Sequence, residues 1–193
     1  MHGLINRSIQ CFLSDTYGSA VWQAIAAEVG LPSHGFEALM QYDDALTEGV
    51  LVAAVRRLGK PREALLEDVG IYLVALEPLR RLLRFGGVTY EEFLLSLDEL
   101  PDRARLSVPD LDLPDLLLRA IGPGRFVLEC RSDHAGFGAV FAGILRAVAD
   151  DYGSLALIDA TAVSPGSETV SIELLDAGFA SGRQFDLARP GTA

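Results

Sequence analysis

The feature that most constrains this 193-residue chain is a change of period along it. Up to about residue 107 the apolar residues recur at helical spacing. Beyond LSVPDLDLP (106–114) they gather into short runs rich in branched side chains, LLLRAIG, GRFVLEC, LALIDATAV and ETVSIELLD, bounded by Gly, Pro, Asp and Ser. Helices first and strands afterwards imply an α+β fold, with an N-terminal helical part packed on a C-terminal antiparallel sheet. GPG at 122–124 reads as a hairpin loop, and one long helix, Ser132 to Tyr152 with Ser132 as N-cap, is expected between the two strand pairs.

Within the first half, Ile5, Ile9 and Phe12 share a helical stripe, and a second run carries Val21, Trp22, Ile25 and Val29 to a stop at Gly30 and Pro32. Asp43 suits the N-cap of a helix that ends at Gly59, Pro61 the first position of the next, and Pro78 a kink or restart. Thr89 with Glu92 three residues on forms a capping box. The helix it opens, TYEEFLLSLDEL, has a buried stripe of Tyr90, Phe93, Leu94, Leu97 and then position 101, which is a proline. The residue before proline is pushed toward extended backbone, so a break is expected at Leu100–Pro101. In a regular helix Pro101 would cost about 3 kcal/mol.

A net charge of −11 argues against binding nucleic acid or an anionic membrane through charge. No stretch approaches the ~18 uninterrupted apolar residues of a membrane span. MHGLINRSIQCFLSD lacks the pattern of a signal peptide, and Cys11 and Cys130 lie far apart without CxxC spacing, so a reduced, cytoplasmic setting is expected. Lys60 is the only lysine against plentiful Arg and Ala, which points to a GC-rich bacterial genome.

Enzyme motifs are missing: there is no GxxxxGK phosphate loop and no GxSxG elbow. AGFGAVFAG has the wrong spacing for a dinucleotide fingerprint, and its glycines read as a close helix contact. His2, His34 and His134 show no paired metal-ligand spacing. Asp43–Asp44 and Asp150–Asp151 read as capping and solvation at helix ends. The chain is therefore expected not to be an enzyme.

Several stretches in order, MHGLINRSIQ, LSDTYG, QYDD (41–44), SLDEL before position 101, LSVPDLDLP after it and FVLECRSDHAG, resemble the haem nitric-oxide/oxygen-binding (H-NOX) family. The likeness covers nearly the whole chain and implies a single domain, 1–193: a helical part, 1–85, then a signalling helix, sheet and long helix, 86–193. In that family the residue at the position of Pro101 is a histidine that ligates haem iron. A Tyr-x-Ser-x-Arg motif, here Cys130-Arg131-Ser132-Asp133-His134, holds the haem propionates. The resemblance also sets Pro114 against the porphyrin and Ile5 on its distal face, so Ile5, Ile9, Pro101, Pro114, Cys130, Ser132 and His134 are the expected pocket residues.

Proline has no lone pair for iron. His134 lacks the fixed charge and fork geometry of arginine, and Cys130 lacks a phenolic donor. The expectation is a sensor-like regulatory protein with no haem cofactor, acting through an apolar pocket or a protein partner. The alternative is a haem-binding nitric-oxide or oxygen sensor with a non-standard axial ligand or none. Partners implied by the resemblance are a histidine kinase or a (di)guanylate cyclase, and Pro101 is expected to hold the signalling helix permanently bent.

Overall fold

In the computed structural model, which describes residues 1–179 apart from positions 33 and 165, the change of period is a change of architecture. The helical half holds α1 (Gly3–Tyr17), α2 (Ser19–Glu28), α3 (Asp44–Leu58), α4 (Arg62–Ala75) and α5 (Glu77–Arg84). Next come α6 (Tyr90–Leu95), a 3₁₀ turn (Leu97–Glu99) and α7 (Leu100–Ser107). The sheet half holds β1 (Asp115–Gly122), β2 (Arg125–Arg131), α8 (Phe137–Tyr152), β3 (Leu155–Ser164) and β4 (Ser167–Asp176). The four strands are antiparallel in the order β1-β2-β4-β3. Among the described residues no helix is long and apolar enough to cross a membrane.

The helix ends follow local chemistry. Asp43 accepts from the Ala45 N–H at 2.8 Å, and Gly59 closes α3 in the left-handed region. Pro61 is the N-cap of α4, one position outside the helix, and Pro78 lies in the first turn of α5 after a break at Leu76. At α6, Thr89 accepts from the Glu92 N–H at 3.2 Å and Glu92 reaches back to the Thr89 N–H at 3.2 Å, which completes the capping box.

Alternation along the strands turns Leu116, Phe126, Leu128, Cys130, Val170, Ile172 and Ile158 inward, against Phe141, Leu145 and Val148 of α8. A second core lies among α1–α4 around Phe12, Leu13, Trp22 and Ile25. The cores meet where α4 crosses α8. A Cβ on Gly70 would strike the Val140 carbonyl, and one on Gly143 would strike the Glu67 carbonyl. Of the glycines of AGFGAVFAG, Gly143 serves this backbone-to-backbone approach, while Gly136 and Gly138 make room for the side chains of Leu66 and Glu168.

Two boundaries differ from the expectation. The long helix starts at Phe137, not Ser132: the Ser132 hydroxyl accepts from the His134 N–H at 3.1 Å in a turn, and Gly136 at φ 111° precludes helix there. The cap comes instead from the sheet, where Glu168 of β4 accepts from the Gly136 N–H at 2.7 Å and the Gly138 N–H at 2.5 Å. A carboxylate at this end also complements the helix dipole.

The break before Pro101 falls earlier than expected, and Leu100 is helical (φ −60°, ψ −43°), not extended. The stripe unwinds at Ser96 into the 3₁₀ turn, and the Leu100 N–H bonds to the Leu97 carbonyl. That carbonyl is the acceptor Pro101 would have used in an uninterrupted helix, so the missing N–H costs little at the first turn of α7. Further clamps hold the bend. Arg103 donates to the Ser96 carbonyl at 3.0 Å, and Asp98 accepts from the Leu118 N–H on the edge strand β1 at 2.7 Å.

Asp151 also departs from the expectation of solvation. It is 3% exposed and pairs with Arg80 at 2.6 Å, joining α8 to α5.

Candidate functional site

A cavity of about 300 Å³ opens between the helical half and α8. Its walls come from one face each of six helices, with Ile5 and Ile9 on α1, Leu51 on α3, Val69 and Leu73 on α4, Leu82 on α5, Ala104 on α7, and Val140 and Ile144 on α8. The size lies at the lower end of small-molecule sites, and the walls are almost wholly apolar.

Its few polar groups are largely committed. The Ser8 hydroxyl donates to the Leu4 carbonyl at 2.9 Å, and the Thr47 hydroxyl donates to Asn6 Oδ1 at 2.7 Å. Asn6 is wholly buried, and its Nδ2 has no partner. At the mouth the Met1 ammonium donates to the Tyr42 carbonyl at 3.0 Å and to Asp44 at 2.5 Å. That hydrogen bond, foremost, holds the Asp44 carboxyl below the usual carboxylate range; burial opposes it, and nearby His134 adds to the lowering. His134 sits between two carboxylates, with Nδ1 at 3.7 Å from Asp44 and Nε2 at 3.4 Å from Asp112.

Of the residues expected in a pocket, Ile5, Ile9 and His134 line this cavity. Pro101 is buried in the first turn of α7, but Leu100 and Ala104 of that segment face the cavity. Pro114 is buried just ahead of β1. Cys130 is 2% exposed in the sheet core; burial first, then Glu168 and Glu129, pushes its thiol up to about 12. The Ser132 hydroxyl is half-buried in the turn beside His134. Among the described residues no His, Cys, Asp and Glu cluster could hold a metal ion.

Sequence reasoning missed the α4, α5 and α8 walls, because an apolar residue facing a cavity looks like one facing a core. It also missed Asp44 and Asp112 at the mouth, which lie far apart in the chain and meet only around His134.

A helical half laid against an antiparallel sheet, with an apolar chamber at their junction, is an architecture built around a small-molecule-sized site. The sequence model of the family described as Haem-NO-binding matches residues 2–158, and the chain belongs to that family. It is 24% identical to soluble guanylate cyclase gcy-31 of Caenorhabditis elegans over 155 residues, 78% of this chain and 22% of that protein. It is 22% identical to soluble guanylate cyclase 89Db of Drosophila melanogaster over 155 residues, 79% of this chain and 23% of that protein. The chain thus spans under a quarter of the length of these relatives.

Among solved structures, a mutant of Cs H-NOX carrying 4-cyano-L-phenylalanine superposes with a TM-score of 0.77 at 18% identity, over 93% of this chain and all of that one. The H-NOX protein from S. oneidensis in its Fe(II)NO state gives 0.77 at 14% identity, over 91% of this chain and all of that one. These likenesses establish the fold.

Proposed function

We propose that this chain is a non-enzymatic regulatory domain of the haem-NO-binding family in which the usual haem ligation has been lost. It acts through its apolar cavity or a protein partner. The observation that carries the reading is Pro101, which stands where the resemblance gives an iron-binding histidine and has no lone pair to offer.

The rest of the site agrees with that loss, and the residues present do not fit the group. Haem propionates need cations or free N–H donors. Here the mouth carries two carboxylates, Asp44 and Asp112, and the Met1 ammonium beside them is already held by Asp44 and the Tyr42 carbonyl. The N-terminal end of α8 is an anion-binding geometry, but Glu168 already accepts from Gly136 and Gly138 there.

The relatives named as soluble guanylate cyclases support a signalling role with a (di)guanylate cyclase as partner; a histidine kinase as the other partner and the cytoplasm as the setting are proposed on the resemblance alone. The test is a hemin titration of the purified chain followed by absorbance. The expected result is a broad, weak band without saturation at one haem per chain. A sharp Soret band at one haem per chain that shifts with nitric oxide overturns the reading.

The alternative, a haem sensor with a non-standard axial ligand, has one observation in its favour: the His134 imidazole lines the cavity. Loss of a sharp Soret band in His134→Ala, where the parent chain shows one, would select it.

A further inference from the structure

One face of the sheet packs on α8, and alternation along the strands turns the other set of side chains outward. On that outer face Ile121 and Leu157 are 64% and 54% exposed. Single exposed aliphatic residues are ordinary. What distinguishes this face is the order of its charges.

The register sets the outward residues in rows that cross the sheet. One row runs Arg119, Val127, Ser171, Asp159 from β1 to β3. The next joins Arg125, Glu173 and Leu157, with Ile121 beside the Gly122–Arg125 pair at the end of β1. In the order β1-β2-β4-β3 the middle of the sheet is the seam between β2 and β4. At equal distances on either side of it, Arg119 answers Asp159, Arg125 answers Glu173 and Ile121 answers Leu157. A two-fold axis parallel to the strands above that seam lays each of these residues over its row mate on another copy.

We propose that the outer sheet face binds a second copy of this chain about that axis. Arg119 then faces the partner's Asp159, Arg125 the partner's Glu173 and Ile121 the partner's Leu157, and each contact occurs twice. The arrangement is the aligned packing of two sheets, with strands within about 30° of each other and about 10 Å between layers. Such a contact is isologous and closes after two copies. A two-fold across the strands would instead set Arg119 on Arg119 and Asp159 on Asp159, which like charge disfavours. Within one chain Arg119 pairs with Glu129 at 3.2 Å and Arg125 with Glu173 at 3.5 Å, exposed pairs that are worth little in water. The second copy excludes that water and gives Asp159 a cation.

The experiment is sedimentation velocity of the full chain over a concentration series. Physiological ionic strength screens the repulsion between two copies of net charge −11. A concentration-dependent dimer is expected. Arg119→Asp sets two carboxylates face to face and Asp159→Arg two guanidinium groups, and each is expected to weaken the dimer roughly tenfold. An equimolar mixture of the two variants regains opposite charges at both contacts, so a mixed dimer within about threefold of the parent's affinity is expected.

A parent chain that stays monomeric at every concentration overturns the proposal and leaves the face to a different partner. A dimer that neither variant weakens, or a mixture that associates no more tightly than its components, also overturns it, because the dimer then uses another surface.

Discussion

The two faces of α8 bury apolar surface on different terms. Toward the sheet, Leu145 and Val148 meet Leu128 and Val170, and three of these four side chains have no exposed surface. Toward the helical half, Phe137 and Val140 border a cavity of about 300 Å³. Composition does not distinguish the faces, since both are aliphatic and aromatic. The constraint on the opposing layer does. Strands are pinned by ladder hydrogen bonds at a fixed spacing and register, so side chains facing them close up to native density. Helices have no register between them, and their separation is set by whatever side chains or glycines meet. α8 therefore carries a sealed core on one side and a chamber on the other, and the glycine crossing at Gly70 and Gly143 holds two of the chamber's walls, α4 and α8, together.

Adding the same three carbons on each side of α8, one within the sheet-side core and one across the cavity on α7, tests this contrast most strongly. Ala142 is 1% exposed in the sheet-side core, so Ala142→Leu must force neighbours from their rotamers and is expected to lose about 1–3 kcal/mol. Ala104 borders the cavity, so Ala104→Leu is expected to be neutral or to gain up to about 1 kcal/mol from burial into space already there. Urea unfolding of both variants measures the difference. Equal losses would mean that the chamber is closed in solution.

The same contrast explains what could be read from sequence. Features set by residues close in the chain were legible: the Thr89–Glu92 capping box, the Asp43 cap, the Pro78 restart and the strand alternation all depend on neighbours a few positions away. The α+β order of helices and strands followed from the period change. Features set by distant residues were not. The start of α8 depends on Glu168 of β4, some thirty residues downstream, so Ser132 looked like a cap and is a turn residue. Asp151 looked solvated because Arg80 is distant in the chain. Of the site, Ile5, Ile9 and His134 were named in advance, whereas the acidic mouth exists only where Asp44, at the start of α3, and Asp112 converge on His134.

A pH titration sharpens the comparison from the sealed side. Cys130 lies in the sheet core, where burial raises its thiol from an ordinary 9.0 to about 12. Below pH 9.0 the thiol is neutral in both states and its contribution is complete. Between 9.0 and about 12 the unfolded chain releases the proton while the folded chain keeps it, so stability falls as pH rises. The slope is at most about 1.4 kcal/mol per pH unit. Tyr90, also raised by burial, joins above pH ~10. Cys130→Val is expected to flatten the decline between pH 9 and 10, as read by chemical unfolding at each pH. An unchanged slope would mean that the sheet side admits water at Cys130.

The smallest effect is expected at Pro101, and it separates two accounts of the bend. If proline itself breaks the helix, Pro101→Ala should let α6 run on through the 3₁₀ turn and raise stability toward the ~3 kcal/mol that an interior proline costs. In the structure the Leu97 carbonyl is already taken by the Leu100 N–H, and Arg103 and Asp98 clamp the turn from α7 and to β1. Alanine at 101 then gains no strong hydrogen bond and loses the fixed φ that suits a first turn. The expected result is a loss of about 0.4–1 kcal/mol in urea unfolding with unchanged helix content by circular dichroism. Arg103→Ala in the same background should loosen the bend further, because it leaves the Ser96 carbonyl held by the Glu99 N–H alone and removes the tie from α7 to the end of α6. A rise in helix content in Pro101→Ala alone would return the bend to the proline.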